Sequence, residues 1–447
     1  MGWWSKGKTM GNTTSDTAKT IDTPHHQRAR LLWGGVIVGL VAGVIISLYR
    51  LGIQAVAGVF RPLVERGHAS WPDALLALAA FAGMGVVASL LLKWEPNISG
   101  SGIPQIMAQL SGRLDTKWYR VLALKFLGGL CSLGGGLTMG REGPSVQIGG
   151  AIGQGVSELL KHPEDERNAM ISGGAAAGLS AGFNAPISGV VFALEELHGR
   201  FSPRVLVAAM AASFVSNYVS AHIFGIAPVL SFQHVPLLPL NAYWALLLVG
   251  VLAGLSGMLF NKGILYAKSL YGKMRLPFWL RGVVPFVLTC IVLLMNPELF
   301  GSGEEFIFLP AHGNLLPQRV LLLYVLKLLL VWLAFGSGIA GGIFFPLLVL
   351  GSLLGNMMAQ ALCLLGWITP DMVLPLSLLA MAAHFTAIVR SPLTGVLLIA
   401  EMTGSFAYML PLGIVCLGAY LTAEAVHCTP IYESLLELLP NLRAKRG

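Results

Sequence analysis

Glu142 stands beside Arg141 inside the stretch 134–153, GGGLTMGREGPSVQIGGAIG, with long apolar runs on either side. A helix that only crossed lipid would not be built this way. Each interior glycine costs about 1 kcal/mol against alanine, and a charge near the bilayer centre costs about 2.5 to 3.5 kcal/mol. The pattern predicts a broken helix shielded by protein, because unpaired amides have no partner in hydrocarbon. Its glycines let backbone N–H groups approach a ligand closely, and Pro144 suits the first turn of the helix that follows. The free N–H groups and positive end of that helix then face an anion. A second break of the same kind is GSGIP at residues 100–104, a loop entering a helix. The chemistry on offer is anion binding next to a titratable carboxylate.

The elements that must position these groups follow from composition. With 55% hydrophobic and 11% charged residues in 447, against about a quarter charged in soluble domains, the chain reads as an all-α, multi-span integral membrane protein. Apolar runs of spanning length begin near Leu31, Ala74, Tyr243, Val283, Val320 and Leu374, with segments broken by Gly and Pro between them. One long apolar helix is expected from Leu31 to about Phe60, then a polar loop. Residues 1–30 read as a polar cytoplasmic tail without the apolar core of a signal peptide. The net charge of +8 sits in short loops and at the ends. Lys6, Lys8, Arg28 and Arg30 at one end, and Arg443, Lys445 and Arg446 at the other, place both termini in the cytoplasm. Nucleic acid is excluded as a partner, since no soluble basic domain exists to bind it. The five cysteines form no C-x-x-C pair and read as small membrane-core residues, so no metal site is expected.

Sliding the chain by 202 residues pairs Gly134 with Gly336, Gly140 with Gly342, Pro144 with Pro346 and Gly153 with Gly355. At an offset of 206, NAPISGVVFALEE overlies RSPLTGVLLIAEM, pairing Pro186 with Pro392 and Glu195 with Glu401. The chain is an internal duplication, divided here as 31–236 and 237–447. Interrupted segments at corresponding places in two halves point to a transport site at the repeat interface. The residues leave open whether the halves are parallel or inverted.

GSGIP (100–104), GREGP (140–144) and GIFFP (342–346) resemble the three anion-pathway motifs of the CLC family of chloride channels and chloride/proton antiporters, and the resemblance runs from about Leu31 to Leu439. It implies two inverted-topology repeats of broken, tilted helices, a homodimer with one pathway per subunit, and, for this prokaryotic-type chain, the bacterial inner membrane. By motif, Ser101 is the serine that hydrogen-bonds the anion, with Gly102 and Ile103 beside it. Ile343, Phe344 and Phe345 supply backbone N–H groups, and Tyr432 in TPIYESLL is the tyrosine facing the central chloride. Glu142 is the gating glutamate, and Glu196 the internal proton-transfer carboxylate. The duplication separates the two acids independently, since Glu195 has a counterpart in Glu401 while Glu196 faces Met402. Serine in GSGIP, where nitrate-selective members carry proline, implies chloride. The chain ends soon after Tyr432, without the paired nucleotide-binding domains of many eukaryotic members.

The reading is therefore a chloride/proton antiporter, with a passive chloride channel of the same fold as the alternative. Chloride and protons are the transported partners, and no cofactor is expected. An intramembrane enzyme would need a signature such as G-x-S-x-G or H-E-x-x-H, and neither occurs. Duller readings apply elsewhere: an ion pair with Arg141 for Glu142, a hydrogen-bonded core histidine for His384, and carbonyl caps or snorkelling for Lys125 and Lys327. Arg390 and Glu401 stand too far apart along one helix to pair.

Overall fold

The computed structural model describes residues 25–232, 235–275, 277–312, 316–439 and 442. The expectations placed on Lys6, Lys8, Arg443, Lys445 and Arg446 lie outside them. Among the described residues the protein is helical throughout, and nine helical segments are long and apolar enough to cross a membrane.

The first repeat comprises α1 (His25–Ala69), α2 (Trp71–Trp94), α3 (Ile103–Leu110), α4 (Trp118–Gly129), α5 (Glu142–Leu159), α6 (Glu164–Phe183), α7 (Pro186–Phe192) and α8 (Pro203–Phe224). The second comprises α9 (Trp244–Lys273), α10 (Phe278–Met295), α11 (Pro317–Gly336), α12 (Phe344–Leu364), α13 (Val373–Val389), α14 (Pro392–Thr403), α15 (Met409–Ala425) and α16 (Ile431–Glu437). α1 differs from the sequence expectation at both ends: it begins at His25 and runs through the stretch read as a loop after Phe60, enclosing Pro62. The polar side chains there find partners without leaving the helix. Arg61 pairs with Glu65 at 3.4 Å and Glu305 at 2.7 Å, and His68 Nδ1 lies 2.6 Å from the Leu294 carbonyl. At the other end Arg30 reaches the buried Glu166 at 2.7 Å.

Glycine sets how closely the helices approach. A Cβ built on Gly149 of α5 would lie 2.0 Å from the Gly174 carbonyl of α6, and one built on Gly174 would lie 2.0 Å from the Gly149 carbonyl. Backbone therefore touches backbone, the packing that small residues permit inside membranes. In the second repeat α12 meets α13 less tightly, with a Gly351 Cβ 2.8 Å from the Ala380 carbonyl.

Two sets of contacts fix the relation of the halves. Gly140 and its counterpart Gly342 pair in antiparallel fashion, Gly140 N–H donating to Gly342 O at 2.7 Å and the reverse at 2.8 Å. Glu195, beyond the C-terminal end of α7, accepts from the N–H groups of Leu393 (3.0 Å) and Thr394 (2.7 Å) at the start of α14. Glu401, near the end of α14, accepts from Ile187 (3.0 Å) and Ser188 (2.7 Å) at the start of α7. Each helix ends where its counterpart begins, so the equivalent helices run antiparallel and the repeats are inverted.

Candidate functional site

The break before α3 is built by Gly100 and Gly102, both with positive φ (61° and 89°), a region that favours glycine. Ser101 is buried between them, and its Oγ accepts from Ile103 N–H at 3.4 Å. Lys125 of α4 is fully buried and donates to the Ile98 carbonyl at 2.8 Å and the Gly100 carbonyl at 2.6 Å. The second repeat copies this device: Lys327 donates to Leu299 O at 2.8 Å and Gly301 O at 2.7 Å, below the turn Gly301, Ser302 and Gly303, whose last residue has φ 89°. Both lysines cap carbonyls, one of the two readings the sequence left for them.

α5 and α12 start at corresponding positions, Glu142 and Phe344, next to the Gly140 and Gly342 pair. First-turn N–H groups of an α-helix have no intrahelical acceptor, so the starts of α3, α5 and α12 bring open donors into one region. Two built positions measure the convergence. A Cβ on Gly143 would sit 2.8 Å from Ser101 Cβ, and a Cβ on Gly140 would sit 2.5 Å from Glu142 Oε2 and 2.9 Å from Phe345 N. The Phe344 ring of the GIFFP motif packs on Phe385 (centroids 4.7 Å) and Phe183 (5.3 Å), and the Phe345 ring stacks on Phe183 (6.1 Å).

Glu142 is fully buried, and neither carboxylate oxygen has a hydrogen-bond partner. Arg141 Nε approaches Oε1 at 3.7 Å without bonding it. The two side chains form a loose ion pair, the plainer reading of Glu142, although no hydrogen bond fixes the carboxylate. Glu142 also lines a cavity of about 290 Å³ with Arg61, Arg141, Ser302, Glu304 and Phe345. This cavity lies toward the Ala69 end of α1, away from the end that carries Arg30.

Tyr432, on the first turn of α16, is fully buried with a hydroxyl that lacks a partner. Its helix packs on α3. Glu195 and Glu196 occupy a π-helical turn, Ala193–Leu197, a distortion frequent at functional sites. Both side chains reach the start of α14: Glu195 accepts from Thr394, and Glu196 accepts a short hydrogen bond from Ser391 Oγ. Ser101, Glu142 and Phe345 meet where the starts of α3, α5 and α12 converge, whereas Glu196 lies at the start of α14. Ser391 was missed, although the offset of 206 that pairs Glu196 with Met402 also pairs Ser391 with Ala185.

Other residues take structural places. His384 is buried, with Nδ1 2.8 Å from Leu347 O and Nε2 2.9 Å from Ser256 Oγ. Because a carbonyl only accepts, Nδ1 carries the proton and Ser256 donates to Nε2. Arg390 donates to the Tyr420 and Cys428 carbonyls, each at 2.7 Å.

Broken helices whose starts converge from both halves of an inverted duplication, around a buried carboxylate, define a membrane ion-transport protein. The family model described as voltage gated chloride channel matches residues 83–424, and the chain belongs to that family, the CLC proteins. It is 34% identical over 420 residues to the H(+)/Cl(-) exchange transporter ClcA of Vibrio vulnificus (strain YJ016), covering 91% of this chain and 89% of that one. To the ClcA of Citrobacter koseri it is 35% identical over 424 residues, covering 91% and 88%. The X-ray structure of a slow cyanobacterial Cl-/H+ antiporter superposes with a TM-score of 0.86 at 32% identity, over 92% of this chain and 97% of that one.

Proposed function

We propose that this protein exchanges chloride for protons across a membrane. One observation carries the reading: a buried carboxylate, Glu142, with both oxygens unbonded, stands between a cavity and a cradle of helix starts. An anion entering that cradle loses hydration and must recover it from hydroxyls and amides. Ser101, Tyr432 and the N–H groups around Ile103 and at residues 343–345 offer donors without full positive charge, so chloride binds and still leaves. A carboxylate at the same place competes with chloride for those donors. Protonated, Glu142 loses the charge that holds it there, swings toward the cavity and admits the anion. Glu196, half-buried beyond Tyr432, exchanges protons with the opposite side, so that anion and proton movements alternate.

With both termini in the cytoplasm, Glu196 opens to the cytoplasm and the Arg61 cavity opens outward. The membrane is the bacterial inner membrane, and the protein works as a homodimer with a pathway in each subunit. A passive chloride channel would share Ser101, Glu142 and Tyr432. The hydrogen-bonded carboxylate of Glu196 favours the antiporter. The test is proton uptake into liposomes driven by a chloride gradient. The native protein is expected to move both ions, and Glu196→Gln to keep chloride flux while losing proton uptake. Proton movement that survives intact in Glu196→Gln removes Glu196 from the route, and chloride flux without proton movement in the native protein makes it a channel.

A further inference from the structure

Ser391 occupies the position before α14 where a serine ordinarily caps its own helix by accepting from the second or third N–H group. Here it makes no such bond. Glu195 has taken that work, accepting from Leu393 and Thr394 N–H and from Thr394 Oγ1 at 2.7 Å. The other half is arranged identically up to this point: Glu401 accepts from Ile187 and Ser188 N–H and from Ser188 Oγ at 2.5 Å. The residue before α7 is then Ala185, and the residue after Glu401 is Met402. Both members of the Ser391 and Glu196 pair are therefore polar in one half, and both counterparts are apolar in the other. A scaffold role belongs to what the halves share, the Glu195 and Glu401 caps. The paired departure is left over for function.

We propose that Ser391 is a positioning residue for proton exchange: its hydroxyl, released from helix capping by Glu195, holds the Glu196 carboxylate in its proton-accepting form and orientation. The inference rests on Glu196 being the internal proton carboxylate. Ser391 keeps its own proton and donates only a hydrogen bond, to Glu196 Oε2. Bonds of this kind to an ionised acceptor are about twice as strong as neutral ones, so the contact favours the charged acid over the protonated one. The remaining groups near Glu196 do not supply this donor. Glu195 on the same turn is acidic and engaged with α14. Glu433 on α16 is an exposed carboxylate, and the Tyr432 hydroxyl on the same helix makes no hydrogen bond. His198, after the turn, is bonded to Ser172 at 2.7 Å. Arg390, next to Ser391, spends its guanidinium on the Tyr420 and Cys428 carbonyls and lies 3.7 Å from Glu424.

The experiment reads the pH dependence of chloride-driven proton uptake by the full chain in liposomes. Removing a donor to the charged form makes Glu196 release its proton only at higher pH. Ser391→Ala should therefore move the half-point of the profile upward by about one pH unit, with chloride flux retained, and Ser391→Thr should restore the native profile. A native profile in Ser391→Ala overturns the proposal. Should the alanine variant fail to fold, Ser391→Cys, a weaker donor of similar size, should give a smaller upward shift, and a native profile there overturns it equally. Glu196→Gln in the same assay separates the two claims: if it uncouples while Ser391→Ala changes nothing, only the role of Ser391 falls, and if it stays coupled, the wider proton route falls.

Discussion

In the proposed exchange, Glu142 is the residue on which coupling turns. It costs free energy to bury a carboxylate whose oxygens find no hydrogen bond. The Arg141 Nε lies 3.7 Å away, a loose ion pair that leaves both oxygens without a hydrogen bond. Glutamine has nearly the same shape but no charge to compete with an anion and no proton to give up. Glu142→Gln is therefore expected to pass chloride at least as fast as the native protein and to show no chloride-driven proton uptake, measured with chloride and pH electrodes on one liposome sample. Proton uptake persisting at more than about a tenth of the native rate would contradict the competition between acid and anion. Glu142 and Ser101 stood out because they lie in glycine-rich, proline-broken surroundings that lipid-spanning helices avoid, whereas Glu196 and Tyr432 were named from the resemblance to the CLC family, with the duplication adding to the case for Glu196. Ser391 was not, since a serine before a proline at a helix start reads as an ordinary cap. Only its actual partner distinguishes it.

At the scale of elements, the site depends on how tightly α5 is held, because α5 presents Glu142 at its first residue. The backbone contact between Gly149 and Gly174 leaves no room for a methyl group, whereas the equivalent contact of α12 with α13 is 0.8 Å looser by the built Cβ distances of 2.0 and 2.8 Å. Overpacking of a close contact costs about 1 to 3 kcal/mol. Gly149→Ala should accordingly lower the midpoint of thermal unfolding in detergent more than Gly351→Ala does, and should disturb transport by displacing Glu142. Equal effects in the two variants would mean that the α5 and α6 contact is not the tighter constraint. The glycine spacing showed in sequence that helices approach closely here, but it could not say which pairs do so. The end of α1 was likewise misread: Arg61, Glu65 and His68 resemble loop residues until Glu305 and the Leu294 carbonyl, both from the second repeat, are seen to complete them.

For the whole molecule, inversion gives the two faces different chemistry from related parts. The GSG turn of the first repeat, with Ser101, joins the anion cradle, and its counterpart with Ser302 lines the cavity beside Glu304. Sidedness is testable with single reporter cysteines. Glu304→Cys, from the cavity, and Glu433→Cys, exposed on α16, should react with a membrane-impermeant maleimide from opposite faces of oriented vesicles, the parent protein supplying the background. The same labelled preparation should migrate as a particle of about twice the 47.5 kDa chain, as the proposed dimer requires. Labelling of both positions from one face would overturn the orientation, and a monomeric mass the dimer.

The amino-acid sequence by itself determined that the protein lives in a membrane, that it is duplicated, and that its helices break where glycine and proline recur. Those properties follow from composition and spacing, which act locally. Spacing could not say which way the second half runs, since an offset of 202 or 206 residues is the same for parallel and inverted copies, and only the family resemblance implied inversion. The tertiary structure decided this through contacts between distant residues: Gly140 against Gly342, and Glu195 and Glu401 each capping the other's helix. The same long-range packing brought Tyr432 from the end of the chain onto α3, and Ser391 onto Glu196. No local preference encodes such meetings, because each depends on burying surfaces that lie hundreds of residues apart.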